Sequence, residues 1–297
     1  MTVRRCELAG LALAAGCVAL TAPARAEMSA PTVGFAAHRA IYELSIDTSS
    51  TSPGSGVSSI GGRIVYELTG SACDGFTQNM RFVTVTSNSD GGNQTTDLRT
   101  SSWEQVPATK LRFSSSTYQN DEIAEQARGT ALRATPQDAP SVDLAKPEKK
   151  SFAISAPVYF PMQHSAALIQ SARDGKTHFL ADLYDGSENG SKIYTTSALI
   201  GHRLAPGTGA IKALAGQKAG SALDAVPSWP VSISYFAQVT DAQVKHKDEV
   251  PLYEMSYRFH ENGVTSDLRL DYGEYALKGE LKELVFLEPS TCPADKP

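Results

Sequence analysis

His38 to Ile46 reads H-R-A-I-Y-E-L-S-I, and most of the chain after it follows the same rule: short alternating runs ended by turn residues. Ala40, Tyr42, Leu44 and Ile46 fall on one side of that run. A period of two is the signature of a strand buried on one face. Arg63–Thr69 is a second β-rich run, and Thr48–Gly62 between them, rich in Ser, Thr, Gly and Pro, reads as a long turn region. In Gly75–Asn88 the residues Phe76, Gln78, Met80, Phe82 and Thr84 share a face. S-D-G-G-N-Q supplies a hairpin turn, and Thr95–Trp103 returns as a strand. Leu111–Tyr118 and a weaker run over Ala127–Ala134 continue the meander. Later runs cover Thr177–Tyr184, Ser191–Gly201, Val231–Thr240, Pro251–His260, Thr265–Tyr272 and Tyr275–Leu287. A turn signal every 8–12 residues or so predicts an all-β architecture.

Three segments depart from the pattern. Residues 135–150 hold three prolines and a Lys/Glu cluster, which predicts a surface crossover between two halves, 27–135 and 151–297. Pro161 to Arg173 predicts a packing helix: Pro suits the first turn, where its missing N–H costs nothing, and Gly175 suits the position past the end. Met162, Ser165, Ala166, Ile169 and Ala172 fall on one face of it. Residues 205–228, rich in Gly, Ala and Pro, predict a long loop or a short helix.

The first 26 residues have a separate logic. Arg4 and Arg5 precede an uncharged apolar or small stretch from Leu8 to Ala22, and Ala24-Arg25-Ala26 ends before Glu27. A basic start, a short apolar core and an A-x-A end predict a secretory signal peptide, with an uncleaved anchor as the competing reading. Ala14-Ala15-Gly16-Cys17 resembles a lipidation box, but the place usually held by Leu is Ala14, which argues against an anchor at Cys17. No later segment reaches 18 uncharged apolar residues, so no transmembrane span is predicted after cleavage. Export predicts a periplasmic location.

Cleavage changes the arithmetic. Losing Arg4, Arg5, Arg25 and Glu7 leaves 24 basic and 31 acidic side chains, a net charge of -7. An acidic chain is a poor partner for nucleic acid. Only Cys73 and Cys292 remain. In an exported protein such a pair favours a bridge. A redox pair usually sits as C-x-x-C, and a zinc site needs more ligands.

Catalytic signatures are absent: no G-x-S-x-G, no H-E-x-x-H, no P-loop. His38, His164, His178, His202, His246 and His260 stand singly, without metal-ligand spacing. Asp182–Gly190 carries three carboxylates around glycines, but not at the positions a calcium loop needs, so it reads as a turn. No cofactor and no metal is predicted. A weak internal echo pairs N-M-R-F…T-T-D-L-R-T-S-S-W-E with S-Y-R-F…T-S-D-L-R-L-D-Y-G-E. It sets Phe82 against Phe259, and Asp97 and Arg99 against Asp267 and Arg269. Chance matching of short β-strings is the alternative. On a strand each Asp and Arg share a face, so the four residues form either surface ion pairs or a polar binding face.

Several segments occur together in order: H-R-A-I-Y-E-L-S, then G-G-R-I-V-Y-E-L-T-G-S-A-C-D-G-F-T-Q-N-M-R-F-V-T, then T-T-D-L-R-T-S-S-W-E, the F-P-M-Q-H-S helix entry and the terminal E-L-K-E-L-V-F-L-E-P-S-T-C-P. The chain resembles the EipB family of cell-envelope integrity proteins from Gram-negative bacteria over essentially its whole mature length. The resemblance implies a mainly β fold, a large antiparallel β-spiral like two joined, broken half-barrels. It implies a disulfide between Cys73 and Cys292, holding residues 27–297 as one stapled domain. It also implies a non-enzymatic role in envelope integrity and resistance to envelope stress. The partner would be an envelope protein, lipid or lipoprotein, and a half-barrel groove would suit a lipid or lipoprotein carrier.

Overall fold

A computed structural model describes residues 33–50, 57–89, 91–208, 211, 214–238, 250–288, 290 and 292. The predicted signal peptide, Cys17 and His246 lie outside these residues.

The chain is mainly β. Eight strands come first: β1 (His38–Ile46), β2 (Val57–Ser71), β3 (Gly75–Asn88), β4 (Asn93–Glu104), β5 (Lys110–Gln119), β6 (Glu122–Leu132), β7 (Ser141–Lys146) and β8 (Lys150–Ala153). Helix α1 (Pro161–Arg173) follows. Then come β9 (His178–Leu183), β10 (Tyr194–Ile200), α2 (Lys218–Asp224), β11 (Ser228–Ala237), β12 (Tyr253–His260), β13 (Thr265–Asp271) and β14 (Ala276–Phe286).

All fourteen strands form one sheet, ordered β8-β7-β6-β5-β4-β3-β2-β1-β14-β13-β12-β11-β10-β9. Neighbours pair antiparallel throughout. Two meanders, β1–β8 and β9–β14, meet where β1 pairs with β14. The sheet does not close on itself, and β8 and β9 are its edges.

The apolar alternation becomes burial as expected for a curled sheet. Ala40, Tyr42 and Leu44 of β1 are buried while their neighbours are less so. The largest core gathers side chains from β1, β2 and β9–β14 around Ala166, Leu168 and Ile169 of α1. A second core holds Leu111, Phe113, Ala127, Ala131, Val142 and Leu144 of β5–β7, closed by Ile154, Val158, Phe160 and Tyr184. Residues 184–193, between β9 and β10, bridge the two arms. A Cβ on Gly186, whose φ is +73°, would fall 2.3 Å from the Phe113 ring on β5. Only glycine lets this loop seat there.

Helix α1 starts and stops at the predicted residues. At its end the Gly175 N–H donates to Ala172 O and the Lys176 N–H to Ser171 O, a Schellman closure with Gly175 at φ +72°. It is buried on more than the predicted face: Gln163, His164, Leu168 and Ser171 are buried too, because the sheet wraps around it.

Two predictions are corrected. Residues 135–150 are not merely a crossover, since they contain β7 and the first residue of β8. Val142 and Leu144 alternate inward, and Pro140 and Pro147 fall just outside β7, where no ladder hydrogen bond is lost. Thr48–Gly62 is not all turn: Val57–Gly62 belongs to β2, with Ile60 buried and Gly61 and Gly62 paired to Val85 and Thr84. Of the two readings for 205–228, the short helix, α2, is present.

Candidate functional site

The inner face of the curl encloses a cavity of about 590 Å³. That volume falls in the range of small-molecule pockets. Alternation decides which residues line it. From β3 come Gln78, Met80 and Phe82, three of the five predicted to share a face. From β4 come Leu98, Thr100 and Ser102; from β12, Met255, Tyr257 and Phe259. Leu268 and Leu270 of β13, Ile233 of β11 and Ile64 and Leu68 of β2 complete an apolar wall. Met162, His164 and Ser165 of α1 reach in from the middle, so the helix fills part of the concavity without plugging it.

One end of the cavity is aromatic. Tyr235 and Tyr253 stack with centroids 4.4 Å apart. Tyr194 meets both edge-on, at 6.0 and 6.4 Å. Tyr253 continues to Tyr272 at 6.2 Å. Asp185 and Glu188, from the bridging loop, line this region. The Tyr194 hydroxyl sits 3.2 Å from Ser187 Oγ and 3.1 Å from Glu188 Oε1. Burial pushes all these phenols up, so they stay protonated at neutral pH.

None of Asp97, Arg99, Asp267 and Arg269 lines the cavity. Leu98 and Thr100 point inward, so their neighbours Asp97 and Arg99 face outward. There the Asp97 carboxylate lies 2.8 Å from Arg81 and 2.7 Å from Arg99. Arg81 first, then Arg99, holds its carboxyl down at about 2. Asp267 sits at a bulge with φ +53° and meets Arg258 at 3.2 Å. Arg269 pairs with Asp271 at 2.9 Å and Asp47 at 3.3 Å. The two halves of the echo lie on hairpins β3–β4 and β12–β13, but they make different ion pairs. Arg81 and Arg99 are more than half exposed, so solvent screens these contacts and they add little to stability.

The structure also contains a buried polar clamp with no signal in the sequence. Glu104, at the end of β4, accepts the Met162 N–H at 2.7 Å and the Gln163 N–H at 2.9 Å. These are orphan donors of the first turn of α1. Arg133, just past β6, donates to Ala108 O, Val158 O and Gln163 Oε1 at 2.6–2.7 Å. Its guanidinium lies 4.0 Å from the Phe160 ring centroid. The clamp holds the start of α1 against the β4–β6 arm.

Burial pushes the Glu104 carboxyl up to about 7, against the pull of two helix amides and Arg133. A carboxyl raised on folding binds its proton more tightly in the folded state. Its contribution is therefore full below the unfolded value of 4.5 and is lost as pH rises through 7. The expected size is about 3 kcal/mol at most. Denaturant melts of wild type and Glu104→Gln at pH 5 and 8 check it. Wild type should lose stability relative to the variant on going to pH 8, and a pH-independent difference would refute the assignment.

Among the described residues no hydrolytic constellation forms in the cavity. His164 Nε2 is 3.0 Å from Thr196 Oγ1, but that hydroxyl donates to Ala181 O at 2.8 Å. Thr196 therefore accepts from His164 and is fully buried, so it is no nucleophile. Burial lowers His164 to about 4, leaving it neutral. His260 pairs with the buried Ser266 at 3.0 Å, and Ser266 does not line the cavity. Among the described residues no three His, Cys, Asp or Glu side chains are grouped to hold a metal. The Asp182–Gly190 stretch is the end of β9 and the first part of the bridging loop.

Cys73, in the β2–β3 turn, and Cys292, after β14, are joined by a disulfide with Cα atoms 5.6 Å apart. Among the described residues no helix is long and apolar enough to cross a membrane.

Comparison with known proteins agrees with this architecture. The chain is 31% identical over 261 residues to the cell envelope integrity protein EipB of Brucella abortus (strain 2308), covering 88% of each chain. A crystal structure of a beta-barrel-like protein of a domain of unknown function, also from Brucella abortus, matches with a TM-score of 0.74 at 30% identity. That match covers 86% of this chain and all of the other. The EipB-like family profile matches residues 29–288. A fold, a sequence and a profile that agree over nearly the whole chain place it in one group: this protein belongs to the EipB-like family.

Proposed function

We propose that this protein acts in the periplasm as a non-enzymatic binding protein, and that it supports envelope integrity and stress resistance by holding an apolar envelope component in its cavity. The observation that carries the reading is the apolar lining of a cavity of about 590 Å³ inside an unclosed sheet. Apolar walls with few polar groups are what a small-molecule site requires. The export pattern of residues 1–26 and the envelope role named for the Brucella relative support the compartment and the process. The buried, partnered histidines support binding rather than catalysis. The same cavity supports a second reading, a carrier for a lipid or lipoprotein acyl chain, although α1 leaves it only part of the concavity.

Fluorescence titration with Nile red, a neutral apolar dye, tests the cavity. Wild type should bind it, and Met255→Trp, which fills the lumen, should weaken binding about tenfold or more with little change in melting temperature. The outer-face control Val85→Ala should bind normally. Absence of dye binding by the wild type, or equal binding by Met255→Trp, would refute the cavity as the site. Mass spectrometry of molecules co-purifying from periplasmic extract then identifies the occupant.

A further inference from the structure

We propose that the cavity selects a cationic amphiphile: an apolar chain ending in an ammonium group, without phosphate or carboxylate. This rests on the reading that the cavity binds apolar molecules, and it adds the chemistry of the polar end.

The lining charges are of one sign. Glu125, Asp185 and Glu188 border the cavity, and no Lys or Arg among the described residues does. Among the described residues the lining holds one histidine, His164, which burial keeps neutral. Glu188 is already paired to Lys192. Asp185 is not: no Lys or Arg reaches it among the described residues, and its carboxylate is held by neutral donors, the Ser187 N–H at 2.9 Å and the Ser187 hydroxyl. Burial raises its pKa against the pull of the Ser187 hydrogen bonds, so its charged form gains from a cation placed beside it.

The phenols beside it are a second, independent observation. Tyr235 and Tyr257 are more than nine-tenths buried and line the cavity, yet neither hydroxyl makes a hydrogen bond among the described residues. Tyr253 lines the same end and is likewise without a hydrogen-bond partner there. These hydroxyls open into the cavity without a protein partner among the described residues, so they are free to bond whatever occupies it. Asp185 is close enough to Tyr194, Tyr235 and Tyr253 to act on each electrostatically. Ring faces carry negative quadrupole charge, so an aromatic cluster beside an unpaired carboxylate attracts a cation from two sides. An anionic head could accept from the phenol hydroxyls, but it would meet the like charges of Asp185 and Glu188 with no Lys or Arg among the described residues of the lining to offset them. The apolar wall formed by Met80, Phe82 and Leu268 then takes the chain.

The test compares heads on one chain. Dodecylammonium, dodecyltrimethylammonium, dodecanol and dodecanoate, each below its micellar concentration, compete with Nile red for the full-length mature protein. The ammonium compounds should compete about tenfold or more better than dodecanol, and dodecanoate worse than dodecanol. Ethylammonium, which lacks the chain, should not compete. The two ammonium heads separate hydrogen bonding to Asp185 from attraction of the charge by the carboxylate and the rings. In Asp185→Asn, which keeps the oxygen facing the Ser187 N–H, the ammonium advantage should fall to about twofold or less. Equal competition by all four chains would overturn the head selection while leaving the apolar cavity intact. Preference for dodecanoate would overturn it outright. Failure of every chain to compete would overturn the cavity reading itself. An unchanged preference in Asp185→Asn would remove that residue, and the proposal with it; Tyr253→Phe supplies the second variant should Asp185→Asn fold poorly.

Discussion

Arg133→Ala should destabilise the protein by about 3–5 kcal/mol, the range for breaking a buried charged network by removing one partner. Arg133 is 8% exposed and spends all of its guanidinium on the fold. Its loss strands the carbonyls of Ala108 and Val158 and leaves the side-chain oxygen of Gln163 with the Phe160 N–H alone. It also removes the cation over the Phe160 ring and the positive charge nearest Glu104. Burial has already lowered the Arg133 pKa to about 10, a sign of how closely the protein surrounds it. Arg133→Lys should be intermediate, because an ammonium keeps the charge but cannot span three acceptors as a planar fork. Urea melts at pH 7 measure both. A loss under 1 kcal/mol for Arg133→Ala would show that the clamp contributes little.

Cys292→Ser should cost about 2–4 kcal/mol. The two cysteines are 219 positions apart, and the loop-entropy model gives about 5 kcal/mol for a ring that long as a ceiling. The pairing of β1 with β14 and β2 already brings the chain ends together in the native state. The bridge therefore acts mainly by restricting the unfolded chain and by holding the residues after β14 to the β2–β3 turn. The variant should melt lower and be cut faster by protease near its C-terminus. Thiol titration of the exported wild type, denatured without reductant, should find no free thiol. Two free thiols, or unchanged melting in Cys292→Ser, would refute the staple.

Much of this fold was legible because strand and helix signals are local. Ala40, Tyr42 and Leu44 reveal their face by alternation alone, and Pro161 and Gly175 mark α1 because capping chemistry acts within one turn. Residues 141–146 were hidden for the opposite reason. Two inward residues between prolines are too short a pattern to outweigh the breakers, and only pairing with β6 makes them a strand. The polar residues were legible as pairs but not in their role. Asp97 and Arg99 do share a face, yet whether that face is inner or outer depends on the direction in which the sheet curls.

The cavity was the least legible part. Gln78, Met80 and Phe82 could be grouped, but Tyr194, Tyr235, Tyr253 and Asp185 come from three strands and a loop far apart in sequence. Glu104 and Arg133 carry no motif, since a buried ion network is specified by what surrounds it. Sequence by itself determined the β class, the strand faces, the helix limits and the two cysteines available to bridge, because each depends on neighbours within a few residues. The tertiary structure alone decided which face is concave, where the unpaired carboxylate meets the phenols and what clamps α1. Those follow from long-range closure of a twisted sheet, in which residues meet across strands that no local pattern relates.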